Sequence, residues 1–367
     1  MENIDWMMRA VAQTAGLYPY IPGKPVETLL REKGLDRAIK LASNENPYGP
    51  SPKAIAAMQT AASQVHRYPD GDATALKEAL ADFHGVHTDQ ILIGNGSNEV
   101  LELLIRSFAG AGDEVVYARR GFIVYALAAQ AAGATGIAVA ESDGLSHNLD
   151  GMAAAVTKQT KVICIANPNN PTGTLLSQEA IQSFLDKLPR DLVVIIDEAY
   201  YEFVADQLGD SAHDLSYPGL VISRTFSKAY GLAGCRIGYA VADHLIVGLA
   251  NRFREPFNVN LLAQAAAVAA LDDREWVMDR VAETVAERQK LEAELNAMGM
   301  LGGQSFANFV LLRHSKSGDI LRRLEDHGII PRPLAPYGMV DYLRISVGLP
   351  KENTEFIAVL KHIVEKL

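Results

Sequence analysis

Cys164 and Cys235 are the only two cysteines among the 367 residues. They show no paired spacing, which excludes a disulfide framework and fits a reducing compartment. No apolar run is long enough to cross a bilayer. The opening stretch MENIDWMMRA lacks a basic start followed by an apolar run, so no secretory leader is expected. Basic residues are in deficit: 34 Lys and Arg against 44 Asp and Glu leave a net charge of -10. That balance argues against nucleic acid as a partner, because phosphate backbones need a basic face, and against an anionic membrane surface. Internal repeats and low-complexity tracts are absent too. What is present, 49% hydrophobic and 21% charged residues, belongs to a globular chain. The expectation is a cytoplasmic protein of two domains, or of one large domain with an appendage.

Short β-rich runs recur along the first two thirds of the chain: ILIG at 91, EVVYA at 114, TGIAVA at 135, KVICIA at 161, LVVIID at 192, LVIS at 220 and RIGYAVA at 236. Most are continuously apolar, the mark of strands buried on both faces. Helical patterns alternate with them. In NEVLELLIRSF, Val100, Leu101, Leu104, Ile105 and Phe108 fall on one stripe. The alternation predicts an α/β fold, a mostly parallel seven-stranded sheet sandwiched by helices. Ligands of such sheets bind at the carboxyl ends of the strands. After about residue 255 long charged helices and the short strands FVLLR and YLRISVG predict a small α+β domain. The first 40 residues, with Pro19, Pro22 and Pro25, read as an arm joining it. The expected units are 1–40, 41–255 and 256–367.

The strand ends collect polar groups. ILIGNGSNEV runs from strand through a glycine turn into a helix, whose free N–H groups near Ser97 and Asn98 suit an anion; a plain capped turn is the other reading. It is no dinucleotide fingerprint, since Glu99 stands where a third glycine is required. CIANPNNPTGT is explained by turn chemistry, or by Asn170 aiming a donor into a cleft. In VVIIDEAYYEF a very apolar strand ends in Asp197, a helix cap or a carboxylate for a cationic ligand group, with Tyr200 three residues on. In TFSKAYGLAGCRIGYA, Thr225, Ser227 and Arg236 make a phosphate cup. Lys228 beside it is either a solvated amine or a nucleophile for a carbonyl. A phosphate cup, an acid for a ring nitrogen, donors for a phenolate-type oxygen and an amine together describe pyridoxal 5'-phosphate. His84 and His87 form an H-x-x-H pair without companion ligands, so no metal site is expected. Cys164 reads as a buried small residue, and Arg119 and Arg120 as surface charges near the cleft.

The ordered set SNENPYGPS, RYPD, GNGSNEVLELLIRSF, NPNNPTGT, IIDEAYYEF, TFSKAYGLAGCRIGY and YLRISVG resembles the fold-type I pyridoxal-phosphate-dependent aminotransferases, and within them most the histidinol-phosphate aminotransferases. The resemblance runs from about residue 15 to the C-terminus. It implies that Lys228 holds the cofactor and shuttles a proton, Asp197 pairs with the pyridine nitrogen, and Asn170 and Tyr200 bind the ring oxygen. Ser97, Asn98, Thr225, Ser227 and Arg236 would bind the phosphate, and Phe122, in ARRGFIVY, would stack on the ring. Tyr68 would reach the phosphate of a neighbouring subunit in a homodimer with shared active sites. Arg344 would clamp a substrate carboxylate. Asn44, Tyr20 and Arg332 complete the substrate side, with Arg254 and Asn258 nearby. The implied reaction is transfer of an amine from a small-molecule donor, histidinol phosphate, to 2-oxoglutarate in histidine biosynthesis. The alternatives are an aromatic amino acid aminotransferase, a phospho-amino-acid decarboxylase, and a non-catalytic sensor.

Overall fold

The computed structural model describes residues 5–14 and 23–367. Eleven strands are present among them: β1 (Ile39–Leu41), β2 (Ile91–Gly94), β3 (Glu114–Ala118), β4 (Thr135–Val139), β5 (Thr160–Ala166), β6 (Val193–Asp197), β7 (Leu220–Thr225), β8 (Gly238–Ala242), β9 (Phe309–Arg313), β10 (Ile329–Pro333) and β11 (Tyr342–Ser346). Seven form one sheet in the order β2-β8-β7-β6-β5-β3-β4. Only β8 runs against the rest. All seven coincide with runs read from the sequence.

The continuous apolar runs have the expected cause. Along β5, Val162, Cys164 and Ala166 join a core on one face, with the helices Ser97–Phe108 and Val124–Ala131. The alternate residues Ile163 and Ile165 join a core on the other face, with the helix Gln178–Leu185. Neither face meets water, so no polar alternation survives. Side chains beyond the strand tips are the ones left to face a ligand. Asp197 is the last residue of β6, and Thr225 the last of β7.

The second sheet has the order β1-β10-β11-β9. Strand β1 pairs with β10 in parallel, so the end of the segment read as an arm is built into a sheet made otherwise from the last fifth of the chain. The helices Arg274–Ala297 and Pro350–Val364 cover it through Leu291, Leu295, Phe356 and Leu360. The change of texture near residue 255 does not coincide with a change of core. Ala263, Ala266, Ala267 and Ala270 of the helix Leu261–Asp272 share a core with Ala54 and with Ile91 of the large sheet. Small side chains there let that helix approach its neighbours closely. Among the described residues, no helix is long and apolar enough to cross a membrane.

Candidate active site

Asp197 ends its apolar strand almost wholly buried. Its Oδ2 accepts a hydrogen bond from the Tyr125 hydroxyl at 2.7 Å, while Oδ1 is buried with no hydrogen-bond partner. Burial disfavours the charged form and raises the carboxyl pKa to about 6, against the lowering effect of the Tyr125 bond. The Ala199 backbone N–H also favours its charged form, but a cap alone would not leave an oxygen turned to a cavity. This carboxylate instead lines a cavity with one oxygen unmatched.

The same cavity is lined at one end by Ser97, Asn98, Thr225, Ser227 and Arg236. Two glycines bring these groups together. Gly96 precedes the helix Ser97–Phe108 with φ of 82°, and a Cβ there would collide with the Arg236 guanidinium. A Cβ on Gly238, at the start of β8, would strike the Ser97 amide nitrogen. Without side chains the helix start, β8 and the guanidinium converge. Arg236 itself sits in the left-handed region at φ 58°, unusual for a residue with a Cβ, and its Nη1 donates to the Ala233 carbonyl at 3.1 Å. Exposed helix N–H groups, hydroxyls and a guanidinium suit a phosphate.

Lys228 lies between the cup and a cationic end. Its Nζ donates to the Ser43 carbonyl at 3.2 Å and stands 5.8 Å from the centre of the Tyr200 ring. Burial, then the neighbouring Arg344, lower its pKa to about 8, so a sizeable share is neutral amine near physiological pH. Tyr200 accepts a 2.8 Å hydrogen bond from Asn44 Nδ2, and burial raises its hydroxyl to about 12. Asn44 is held in turn: its backbone N–H donates to Ser346 Oγ, and Ser346 Oγ donates to its Oδ1. Asn44 also has positive φ, at 54°. Arg344 donates to Asn170 Oδ1 at 2.5 Å and to the Ala42 carbonyl at 2.9 Å. With Asn170 Oδ1 engaged, its amide NH2 is the part left for a ligand. Arg332 lies directly across the β10–β11 pair from Arg344, and both line the cavity.

Of the residues singled out in the sequence, the structure brings Ser97, Asn98, Phe122, Asn170, Asp197, Tyr200, Thr225, Ser227, Lys228, Arg236, Asn44, Arg332 and Arg344 to one cavity. Tyr68 is not among them. It is 83% exposed and stacks on Phe257 with ring centres 4.7 Å apart. Tyr20 lies outside the described residues. Arg254 and Asn258 brace loops instead: Arg254 bonds the Gly71 carbonyl and Asn258, and Asn258 bonds Glu99.

A family model for aminotransferase class I and II matches residues 36–360. The chain belongs to that family. A histidinol-phosphate aminotransferase from Methylobacillus flagellatus is 48% identical over 360 residues, covering 97% of both chains. Another, from Idiomarina loihiensis, is 46% identical and covers 95% of each. The crystal structure of the histidinol-phosphate aminotransferase from Sinorhizobium meliloti, in complex with pyridoxal-5'-phosphate, superposes with a TM-score of 0.88 at 29% identity, over 98% of both chains.

Several residues of this aminotransferase cavity were not foreseen. Ser43 and Ala42 contribute backbone carbonyls, invisible in a residue-type pattern. Tyr337 lines the cavity from the turn Ala335–Tyr337. Tyr125, which bonds Asp197 from behind the cavity, was not foreseen either. Arg119 and Arg120 both pair with Glu141 and line a neighbouring cavity that shares Phe122 and Tyr337. His84 bonds the Tyr239 hydroxyl in the core, and among the described residues no cluster could hold a metal. Cys164 is fully buried, which pushes its thiol pKa up and makes it a poor nucleophile.

Proposed function

We propose that this chain is a pyridoxal 5'-phosphate-dependent transaminase, cytoplasmic and homodimeric, that takes the amine of histidinol phosphate and passes it to 2-oxoglutarate. The observation that carries the reading is the pair Arg332 and Arg344, directly opposite each other across β10 and β11 in a cavity that also holds Lys228 and an unmatched Asp197 oxygen. Like charges opposite one another on a sheet repel, and an anion between them turns that repulsion into binding. Histidinol phosphate brings a phosphate ester without a carboxylate; 2-oxoglutarate brings two carboxylates. Two guanidiniums suit both, since each takes planar or tetrahedral oxyanions in two-pronged fashion.

The cavity fits the cofactor. Asp197 Oδ1 is a buried acceptor awaiting a cationic N–H, and the cup at Gly96 and Gly238 is shaped for a phosphate. When bound, pyridoxal 5'-phosphate supplies an aldehyde for the substrate amine and an electron-withdrawing ring. Asp197 would hold the proton of the ring nitrogen. Asn170 and Tyr200 would donate to the ring oxygen, and Phe122 would cover one face. Ser97, Asn98, Thr225, Ser227 and Arg236 would hold the phosphate. Lys228 Nζ would be the amine that holds the aldehyde and, once the substrate amine has displaced it, would take the proton from the substrate's amine-bearing carbon. Arg344 would grip the carboxylate of the keto acid, with Asn44, Arg332 and Tyr20 completing the substrate side. Tyr68 would serve the cofactor of the neighbouring subunit. We read residues 41–255 and 256–367 as the two units framing the cavity, with residues 1–40 as an arm. The helix Arg274–Ala297 would join them: its Val277 and Val281 belong to one core, its Leu291 and Leu295 to the other.

The test is a panel of amino donors with 2-oxoglutarate. Histidinol phosphate should exceed phenylalanine, tyrosine and free histidine in kcat/KM. If phenylalanine or tyrosine gives the highest value, the aromatic aminotransferase reading replaces this one.

A further inference from the structure

One hydroxyl buried behind the cavity has no part in the chemistry set out so far. Tyr125 is fully buried in the first turn of the helix Val124–Ala131. Its ring meets Phe122 edge-on with centres 6.0 Å apart, so one helix start delivers both the ring-covering aromatic and this phenol. The Tyr125 oxygen donates to Asp197 Oδ2 at 2.7 Å. A carboxylate on a strand tip turns freely about its last torsion unless something holds one oxygen. Here one oxygen is held and the other, Oδ1, is left as a buried acceptor in the cavity.

We propose that Tyr125 is the positioning residue of Asp197: its hydroxyl fixes the carboxylate's rotation and presents Oδ1 alone to the cationic N–H of a bound ring. The inference rests on the cofactor reading above. A phenol is suited to the position because it is neutral and far from losing its proton in this surrounding, burial and the adjacent Asp197 charge having raised its pKa well above the ordinary value. It therefore remains a donor throughout the working pH range, and it stabilises the ionised carboxylate, the form that a ring cation needs. The other titratable groups facing Asp197 are Glu198 beside it, Lys228 beyond β7, Cys164 on β5 and Tyr200. Glu198 opposes ionisation of Asp197 and Lys228 favours it. Among the described residues, Tyr125 is the neutral side chain that donates to it.

The experiment titrates cofactor-free wild type and Tyr125→Phe with pyridoxal 5'-phosphate across a pH series, followed by visible absorbance and by quenching of protein fluorescence. The substitution deletes one oxygen and keeps the ring packed on Phe122. A hydrogen bond to a charged group governs about a tenfold to hundredfold change in affinity, so the dissociation constant should rise by that much at neutral pH. Loss of affinity on acidification should also begin at a higher pH in Tyr125→Phe, because the carboxylate has lost the donor that favours its charge. In turnover, kcat should fall with the substrate KM little changed. Tyr125→His, which retains a ring N–H, should regain part of the affinity and serves if the phenylalanine variant folds poorly. An unchanged dissociation constant and pH profile would overturn the inference, as would an affinity loss equal at every pH, which marks packing alone. A wild type that takes up no pyridoxal 5'-phosphate sinks the cofactor reading itself, a separate outcome.

Discussion

At the residue scale, burial moves the titration of Asp197 up and that of Lys228 down, each toward neutral pH. The Asp197 carboxyl is raised from 3.8 to about 6. The folded chain therefore binds more protons than the unfolded chain between those values, and stability falls as pH rises through that window. A shift of this size corresponds to on the order of 3 kcal/mol. Cofactor-free Asp197→Asn should accordingly melt above the wild type at pH 8, with the advantage shrinking towards pH 4. The same variant should lose several orders of magnitude in kcat while keeping its fold. A capping carboxylate would give the reverse, a destabilised variant with normal turnover. For Lys228 the folded value lies below the ordinary 10.5, at about 8; the unfolded chain binds more protons between them, and stability rises with pH through that range. Lys228→Ala should remove nearly all turnover, measured with histidinol phosphate and 2-oxoglutarate, and leave phosphate-cup binding of the cofactor detectable by dialysis. Most of these positions were legible because reactive side chains sit in distinctive strings at strand ends. Tyr125 was not, because a tyrosine on an apolar helix reads as core until a partner is seen.

At the scale of elements, β10 and β11 place Arg332 and Arg344 side by side. Losing a buried charge partner costs roughly 2–5 kcal/mol, and each 1.4 kcal/mol is about a factor of ten. Arg344→Ala should therefore lower kcat/KM for 2-oxoglutarate at least about tenfold, while Arg332→Ala should act more on the phosphorylated donor; steady-state kinetics of the two half-reactions separates them. Behind the site, Arg224 and Glu198 form a buried pair at 2.9 Å, one residue from Thr225 and Asp197 respectively. Removing one member of such a pair costs about 3–5 kcal/mol, so Arg224→Met should lower the melting temperature far more than an exposed Arg→Met change. The inner strands of the large sheet, such as β5 and β6, could be read from the sequence because both faces are buried, which makes their runs almost continuously apolar; β4, at the sheet edge, is largely exposed and was read from its β-forming run alone. Strands β1 and β10 could not. The first is only Ile39–Leu41, and the second carries Pro331 and Pro333, residues that cannot donate to a ladder. They exist because they find each other and β11, a pairing that no local pattern reports.

At the scale of the whole molecule, the exposed stack of Tyr68 on Phe257 supports a site completed by a second copy. Tyr68→Ala and Lys228→Ala should each be nearly inactive alone. Unfolded together and refolded, they should regain activity, because a mixed dimer gathers both defects in one site and frees the other. Recovery is read as turnover against each variant refolded alone; no recovery would refute the shared site. The bond between Asn44 and Ser346 spans 302 residues of chain, and it carries a consequence for the order of assembly. As a ribosome releases the chain from its N-terminus, the strands of the large sheet and the phosphate cup emerge first. Asn44 must wait for Ser346, and Tyr200 waits with it, so the newborn chain has a cup for the phosphate long before it has a closed cavity. The last strand to emerge, β11, brings Arg344 to the cavity and Ser346 to Asn44. A cofactor captured during synthesis would be held by its phosphate alone, and the ring would be gripped only as the C-terminal strand docks.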